Sequence, residues 1–122
     1  MRIVYVEDNE INLSLIQRIA CAGRHLVIHY TDGQSALDNC ANDQADLILV
    51  DVQLQGKLDG LELTRHLRAA GQQTPIIALT AYAMTGDRDR CLEAGCNDYI
   101  SKPLPVPQVV RLFEHYASLT AK

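Results

Sequence analysis

The sequence lacks both the long apolar segment of a membrane protein and the leader of a secreted one. Its apolar runs are far shorter than the roughly 20 residues that span a bilayer. Glu7 and Asp8 interrupt the N-terminal aliphatic residues before an apolar stretch of signal-peptide length has accumulated. We therefore expect a cytoplasmic protein that does not enter a membrane.

Basic tracts are also missing from the sequence. The chain has 11 Lys and Arg residues against 15 Asp and Glu residues, which gives a formal net charge of −4. Proteins that bind nucleic acid through its phosphates need clustered positive charge. Direct binding to nucleic acid is therefore not expected.

The cysteines form no Cys-x-x-Cys pair. Cys21, Cys40, Cys91 and Cys96 are widely spaced and lie among apolar residues with helical periodicity. This pattern favours neither a zinc site nor a disulfide framework. We expect reduced cysteines that act as small hydrophobic residues.

The size and composition are those of one globular domain. The chain has 122 residues, of which 48% are hydrophobic and 21% are charged, and this is ordinary usage for a folded protein. We expect a single domain over residues 1–122, without an effector domain.

Short aliphatic runs alternate with segments of helical periodicity. The predicted strands are residues 2–6, 26–30, 46–50, 75–80 and 98–101. The predicted helices are residues 10–21, 33–42, 59–70, 84–94 and 105–118. The first, third and fourth runs lack polar alternation, which is typical of strands buried on both faces. Strict alternation of strand and helix predicts an α/β fold, a five-stranded doubly wound parallel sheet with helices on both faces.

Polar residues stand at the ends of four predicted strands. Glu7 and Asp8 follow the first, Asp51 the third, Thr80 ends the fourth, and Lys102 follows the fifth. Ligands of such sheets bind at the carboxyl ends of the strands. Converging carboxylates repel one another, and a magnesium ion with oxygen ligands would relieve that repulsion. Taken singly, Asp8 or Asn9 could instead cap a helix, and Asp51 could be a turn residue.

Five segments resemble the receiver domain of two-component response regulators, in order and over nearly the whole chain. They are residues 4–9 (VYVEDN), 46–52 (DLILVDV), 59–63 (DGLEL), 77–81 (IALTA) and 99–104 (YISKPL). The similarity is greatest to receivers of hybrid histidine kinases and of stand-alone cell-cycle regulators. It implies the flavodoxin-like strand order 2-1-3-4-5.

The resemblance also implies the roles of the strand-end residues. Asp51 matches the phosphoacceptor, which forms an acyl phosphate with a phosphoryl group taken from a phosphohistidine. Glu7 and Asp8 match the acidic pair that holds Mg2+, together with Asp51 and the backbone carbonyl of Gln53. Lys102 matches the lysine that contacts the phosphoryl group.

Further positions match the conformational switch of the family. Thr80 corresponds to the switch hydroxyl and Tyr99 to the aromatic side chain that follows it. Pro103 matches a proline that commonly follows a cis bond. Gln53 and Tyr82 match the variable positions that tune the lifetime of the phosphoryl group. The loop after Asp51 is one residue longer than the commonest version, since glycine comes only at position 60.

The implied partners are a histidine kinase or a histidine phosphotransfer protein, and a target protein that recognises the phosphorylated state. Apolar residues cover roughly 200° of the first helix, wider than a core-facing stripe requires. We therefore expect Ile11 and Leu15 to form part of a docking patch. Tyr99 and Pro103 would lie on a second partner face, and the chain would be a monomer or a weak dimer.

Other functions remain open at this point. A pseudo-receiver would bind partners without phosphorylation, although pseudo-receivers usually lack one of the five strand-end residues. A dehalogenase-like phosphatase needs an aspartate two positions after its nucleophile, where Gln53 stands. A flavin protein would place a hydroxyl-rich loop where Glu7 and Asp8 stand.

Overall fold

A computed structural model describes residues 1–39, 43–54, 56, 58–80 and 87–120, with Asp87 described by its backbone. Strands and helices alternate along the chain. The strands are β1 (Arg2–Val6), β2 (Leu26–Tyr30), β3 (Leu47–Asp51), β4 (Ile76–Thr80) and β5 (Asp98–Ser101). The helices are α1 (Glu10–Ala22), α2 (Gly33–Asn39), α3 (Gly60–Ala69), α4 (Asp87–Ala94) and α5 (Val106–Thr120).

The strands form one parallel sheet in the order β2-β1-β3-β4-β5, which confirms the predicted fold and topology. Val6 at the end of β1 is paired with Val50 of β3. Asp51 is paired with Leu79, and Thr80 with Ser101. The carboxyl ends of β1, β3, β4 and β5 therefore meet at one edge of the sheet.

Helices cover both faces of the sheet. This explains why the sequences of β1, β3 and β4 do not alternate between apolar and polar residues. All five residues of β3 and of β4 are buried. One core packs the sheet against α2, α3 and α4 through residues such as Val50, Leu63 and Cys91. The other packs it against α1 and α5 and contains Tyr5 and Phe113. No helix among the described residues has the length and hydropathy of a membrane span.

Several predicted boundaries differ from the observed ones. Strand β3 begins at Leu47 and includes Asp51, because Asp46 instead bonds Arg2 through both its backbone N–H and its carboxylate. Helix α3 is shorter than predicted because Asp59 and Ala70 are its caps, and Asp59 forms a capping box with Glu62. Helix α5 begins and ends later than predicted, and α1 ends one residue later. The predicted helical residues 40–42 and 84–86 lie outside the described residues.

Glycines lie just after α1, α3 and α4, and two of the three have the left-handed conformation. Gly71 and Gly95 have φ values of 92° and 114°. Gly23 has a φ of −90°, and the left-handed residue is instead Arg24 with a φ of 61°. Gly23 is the C-cap of α1, and its N–H still donates to carbonyl oxygens of the last helical turn. The left-handed conformation follows one residue later, at Arg24. At the other end of α1, Asn9 is the cap, with its side chain accepting from Ile11 and Asn12.

Cys91 and Cys96 are buried free thiols, as expected. Burial raises the pKa of Cys96 to about 11. Cys21 is also free but exposed, because it lies on the outer side of α1. Cys21 is thus a free thiol, as expected, although it is not part of the core, and Cys40 lies outside the described residues.

Arg68 joins three segments at the edge of the sheet opposite the strand-end carboxylates. Its guanidinium donates to the carbonyl oxygens of Gly95, Gln72 and Thr74 at 3.0, 2.7 and 2.8 Å. It also donates to Asn97 Oδ1 at 2.8 Å. Arg68 therefore ties the end of α3 to the segment before β4 and to the turn before β5.

We expect Arg68→Met to lower the free energy of unfolding by about 2–3 kcal/mol, because the part-buried carbonyls lose a charged donor. Urea unfolding would measure the change. Arg65→Met is the matched control, since Arg65 is an exposed arginine on the same helix. Equal stability of the two variants would contradict the bracing role of Arg68.

Candidate functional site

Three carboxylates converge at the carboxyl edge of the sheet. Glu7 follows β1 and Asp51 ends β3, and because these strands are neighbours in register the two side chains lie side by side. One carboxylate oxygen from each of Glu7, Asp8 and Asp51 lies within 4.8 Å of the other two. Glu7 and Asp51 are buried, at 0% and 3% exposed, whereas Asp8 is exposed.

Lys102 places an amine between the two buried carboxylates. Its Nζ lies 2.9 Å from Asp51 Oδ2 and 3.3 Å from Glu7 Oε2. Its backbone N–H donates to the Thr80 carbonyl oxygen at 2.7 Å, which fixes the start of the side chain beside β4. The Lys102–Pro103 peptide bond is cis, as the resemblance implies.

The charges of this cluster alter one another's pKa values. Burial raises the pKa of Glu7, and the neighbouring Asp51 carboxyl raises it further, whereas Lys102 and Tyr5 act in the opposite direction. Burial lowers the pKa of Lys102, but its hydrogen bonds and charge attraction to Asp51 and Glu7 outweigh burial and raise it. The site thus holds one cation in contact with two buried carboxylates, next to the exposed Asp8.

The backbone near Asp51 also shapes the site. Asp51 Oδ1 accepts from the Gln53 N–H at 3.0 Å. A Cβ atom at Gly60 would lie 2.2 Å from the Asp51 carbonyl oxygen, so a glycine is required where α3 approaches β3. In the sequence, Gly60 is noted only as part of a motif. The need for a glycine there could not be predicted, because it depends on how α3 packs against β3.

Glu7 has partners that the sequence analysis missed. Tyr5 Oη donates to Glu7 Oε2 at 3.0 Å, and the Asn9 N–H donates to Oε1 at 3.2 Å. His29 Nε2 donates to the Glu7 carbonyl oxygen at 2.6 Å. The contact between Tyr5 and Glu7 could have been predicted from their spacing, since residues two apart on a strand point to the same face of the sheet.

The structure places the two predicted switch residues on adjacent strands. Thr80 is buried at the end of β4, next to Ser101 of β5 in the strand register. Tyr99 lies two residues before Ser101, half-buried against the core beneath α2, α3 and α4. Tyr82 and the loop residues Gln55 and Lys57 lie outside the described residues.

The donor set fits a hard divalent cation. Carboxylate oxygens are the protein ligands that Mg2+ prefers, and one or two carboxylates are usually enough. The convergence of Glu7, Asp8 and Asp51 matches that preference. When bound, Mg2+ would supply positive charge that offsets the repulsion among these carboxylates.

Of the two predicted docking residues of α1, Leu15 lines a surface groove and Ile11 lies outside it. Ile11 is 79% exposed and Leu15 is half-buried. A groove of about 450 Å³ runs between α1 and α5 and is lined by Leu15 and Val110, among others. The wide apolar arc of α1 is therefore partly exposed, as expected, and Pro103 is exposed near the start of α5.

Comparisons with known proteins agree with this geometry. The family model for the response regulator receiver domain matches residues 3–114. The polar-differentiation response regulator DivK of Brucella anthropi is 39% identical over 116 residues, which cover 93% of this chain and 94% of that protein.

Solved structures add two informative neighbours. The receiver domain of sensor histidine kinase PA1611 from Pseudomonas aeruginosa, with magnesium coordinated in its active site cleft, is 38% identical with a TM-score of 0.84. It covers 96% of this chain and 97% of its own. A receiver domain of the response regulator Ssk1, co-crystallised with the Saccharomyces cerevisiae phosphotransfer protein Ypd1, is 25% identical with a TM-score of 0.91. That match covers 100% of this chain and 92% of the other.

We expect Asp8→Asn to stabilise the protein in the absence of metal, because Glu7 and Asp51 share the Lys102 amine and Asp8 adds a third negative charge. The gain should be below about 1 kcal/mol, since water screens the exposed Asp8. The variant should also lose most of the stabilisation that Mg2+ gives the wild type.

Urea unfolding with a chelator and with Mg2+ would measure both effects. Asp38→Asn is the control, because Asp38 is an exposed carboxylate on α2 whose side chain bonds Gln34. Destabilisation of metal-free Asp8→Asn, or stabilisation of that variant by Mg2+ as large as in the wild type, would contradict the predicted repulsion of Asp8 by the other two carboxylates.

Proposed function

Because the chain belongs to the response regulator receiver domain family, we propose that Asp51 accepts a phosphoryl group from a phosphohistidine. Receiver domains are signalling switches of phosphorelay systems rather than enzymes that turn over metabolites. The observation that carries the assignment to Asp51 is its contact with Lys102 at 2.9 Å, beside a second buried carboxylate.

The phosphorylation step needs positioning and charge neutralisation more than acid–base catalysis. An Asp51 carboxylate oxygen forms the new P–O bond while the P–N bond of the phosphohistidine breaks, and the imidazole leaves with the electron pair. Lys102 offers a positive charge to the phosphoryl oxygens, and the Thr80 hydroxyl is a second donor at the same edge.

Magnesium is the cofactor of this proposal. Glu7, Asp8 and Asp51 would hold the ion with the backbone carbonyl of Gln53, which lies two residues after Asp51. The magnesium in the PA1611 receiver and the convergence of the three carboxylates support the assignment. Gln53 and Tyr82 would affect access of water to the acyl phosphate, so the chain would assist only its own phosphorylation and dephosphorylation.

The phosphoryl group would act on a partner face through Thr80 and Tyr99. Thr80 lies at the end of β4, and Tyr99 of the neighbouring strand β5 is paired with Ala78, two residues before Thr80. In this proposal a movement of the Thr80 side chain would alter the packing of Tyr99 against the core. We propose that Tyr99 and Pro103 lie on the face that a target protein recognises. The chain would act in the cytoplasm as a monomer or weak dimer.

The phosphoryl donor would be a histidine kinase or a histidine phosphotransfer protein that docks on α1. Ile11 is an exposed apolar residue within one turn of the helix start, three residues after Asp8, and Leu15 lies one helical turn further along α1. The co-crystal of Ypd1 with the Ssk1 receiver supports a phosphotransfer protein as the kind of partner.

Intact mass after incubation with acetyl phosphate tests the phosphoacceptor. We expect a gain of one phosphoryl group that requires Mg2+ and is lost in Asp51→Asn, because that variant lacks the nucleophilic carboxylate. Asp38→Asn should gain the group as the wild type does. No gain by the wild type in any condition would favour a pseudo-receiver that binds partners without phosphorylation.

Phosphotransfer from a phosphorylated histidine phosphotransfer protein tests the docking surface. Ile11→Glu should slow transfer at least about tenfold, because it places a charge in an apolar contact. It should leave phosphorylation by acetyl phosphate unchanged. Leu119→Glu is the control, since Leu119 is an exposed apolar residue near the end of α5. Equal transfer rates for both variants would contradict the assignment of Ile11 to the docking surface.

A further inference from the structure

Different groups hold the backbone and the carboxylate of Glu7. Its N–H donates to the Tyr30 carbonyl oxygen at 3.0 Å, and its own carbonyl oxygen accepts from His29 Nε2 at 2.6 Å. These bonds to β2 fix the main chain just after β1. The orientation of the carboxylate then depends on the groups that contact its oxygens.

Among those groups, Tyr5 is held most firmly by its surroundings. Its ring is 0% exposed and belongs to the core between the sheet and helices α1 and α5. Because the ring is packed on all sides, the position of its hydroxyl is set by the fold. That hydroxyl donates to Glu7 Oε2 at 3.0 Å.

The other donors to Glu7 Oε2 are less suited to hold it. Lys102 Nζ is farther from Glu7 than from Asp51, at 3.3 against 2.9 Å, so its charge is shared with the proposed phosphoacceptor. Asn12 Nδ2 lies at 3.5 Å, the outer limit of a hydrogen bond. Tyr5 is therefore the donor that can keep this oxygen in place whatever happens at Asp51.

We propose that Tyr5 is a positioning residue of the metal site, whose hydroxyl holds the Glu7 carboxylate in the orientation that binds Mg2+. This inference rests on the magnesium site of the proposed function. A group that orients a metal ligand contributes to affinity because the ligand needs no reordering when the ion binds. Tyr5 touches neither the phosphoryl group nor the metal itself.

Tyr5→Phe isolates the hydroxyl, since phenylalanine keeps the buried ring. We expect its Mg2+ dissociation constant, measured by NMR titration of the backbone amides, to rise roughly tenfold, the lower end of the effect of losing such a group. The rate of phosphorylation by acetyl phosphate should fall at low Mg2+ and return to the wild-type rate at saturating Mg2+.

Tyr30→Phe is the matched control. Tyr30 is a tyrosine of the neighbouring strand whose hydroxyl donates to Asp43, a carboxylate outside the cluster. It should bind Mg2+ as the wild type does.

A double-mutant cycle separates positioning from a general effect on the core. In Glu7→Asp the carboxylate is one methylene shorter and no longer reaches Tyr5. Adding Tyr5→Phe to that variant should change the Mg2+ dissociation constant by less than about twofold, because the partner of the hydroxyl is already gone. The same roughly tenfold loss in both backgrounds would overturn the positioning role.

The remaining outcomes distinguish the two proposals. Normal Mg2+ binding by the wild type, with an unchanged dissociation constant in Tyr5→Phe, would overturn the role of Tyr5 and leave the metal site intact. Absence of Mg2+ binding by the wild type would overturn the metal site and the role of Tyr5 with it. A slower phosphorylation rate that saturating Mg2+ does not restore would also overturn the proposal.

Discussion

The repulsion between buried carboxylates is the constraint on which the rest of this structure depends. Glu7 and Asp51 lie side by side because β1 and β3 are adjacent, parallel and in register. Removing two such charges from water is costly unless they are paired. Lys102 supplies the pairing charge from beyond β5, so the sheet must bring the ends of β1, β3 and β5 to the same edge. Burial and the neighbouring Asp51 carboxyl raise the pKa of Glu7, whereas Lys102 acts in the opposite direction.

The local structure around the site serves this arrangement. The Lys102 N–H is bonded to the Thr80 carbonyl oxygen, which connects the cation to β4 and to the predicted switch hydroxyl. Gly60 lets α3 approach the Asp51 carbonyl oxygen more closely than a side chain would allow. His29 and Tyr5 hold Glu7 from the interior, through its backbone and its carboxylate respectively. A site held this firmly suits a reaction in which an added phosphoryl group brings further negative charge beside existing charges.

The two edges of the sheet therefore have different physical characters. At the opposite edge, Arg68 donates to neutral acceptors in two segments, the stretch before β4 and the turn before β5. At the carboxyl edge, charge is concentrated beside an exposed apolar residue of α1 and a half-buried aromatic residue of β5. The proposed partner surfaces and the proposed phosphoacceptor therefore lie at the carboxyl edge, and the contacts of Arg68 lie at the opposite edge.

The sequence by itself determined the alternation of strands and helices, the parallel sheet and the identities of the strand-end residues, because hydrophobic periodicity and strand ends are local properties. Its resemblance to receiver domains supplied the strand order, which the structure confirms. It misplaced the start of β3, since hydrogen bonds between Asp46 and Arg2 of β1 decide it. Only the tertiary structure decided that Lys102 bridges Glu7 and Asp51, that Gly60 must lack a side chain, and that Tyr5 and His29 hold Glu7. These contacts depend on distances between segments far apart in the chain or on the packing of a ring in the core, and neither is encoded in local periodicity.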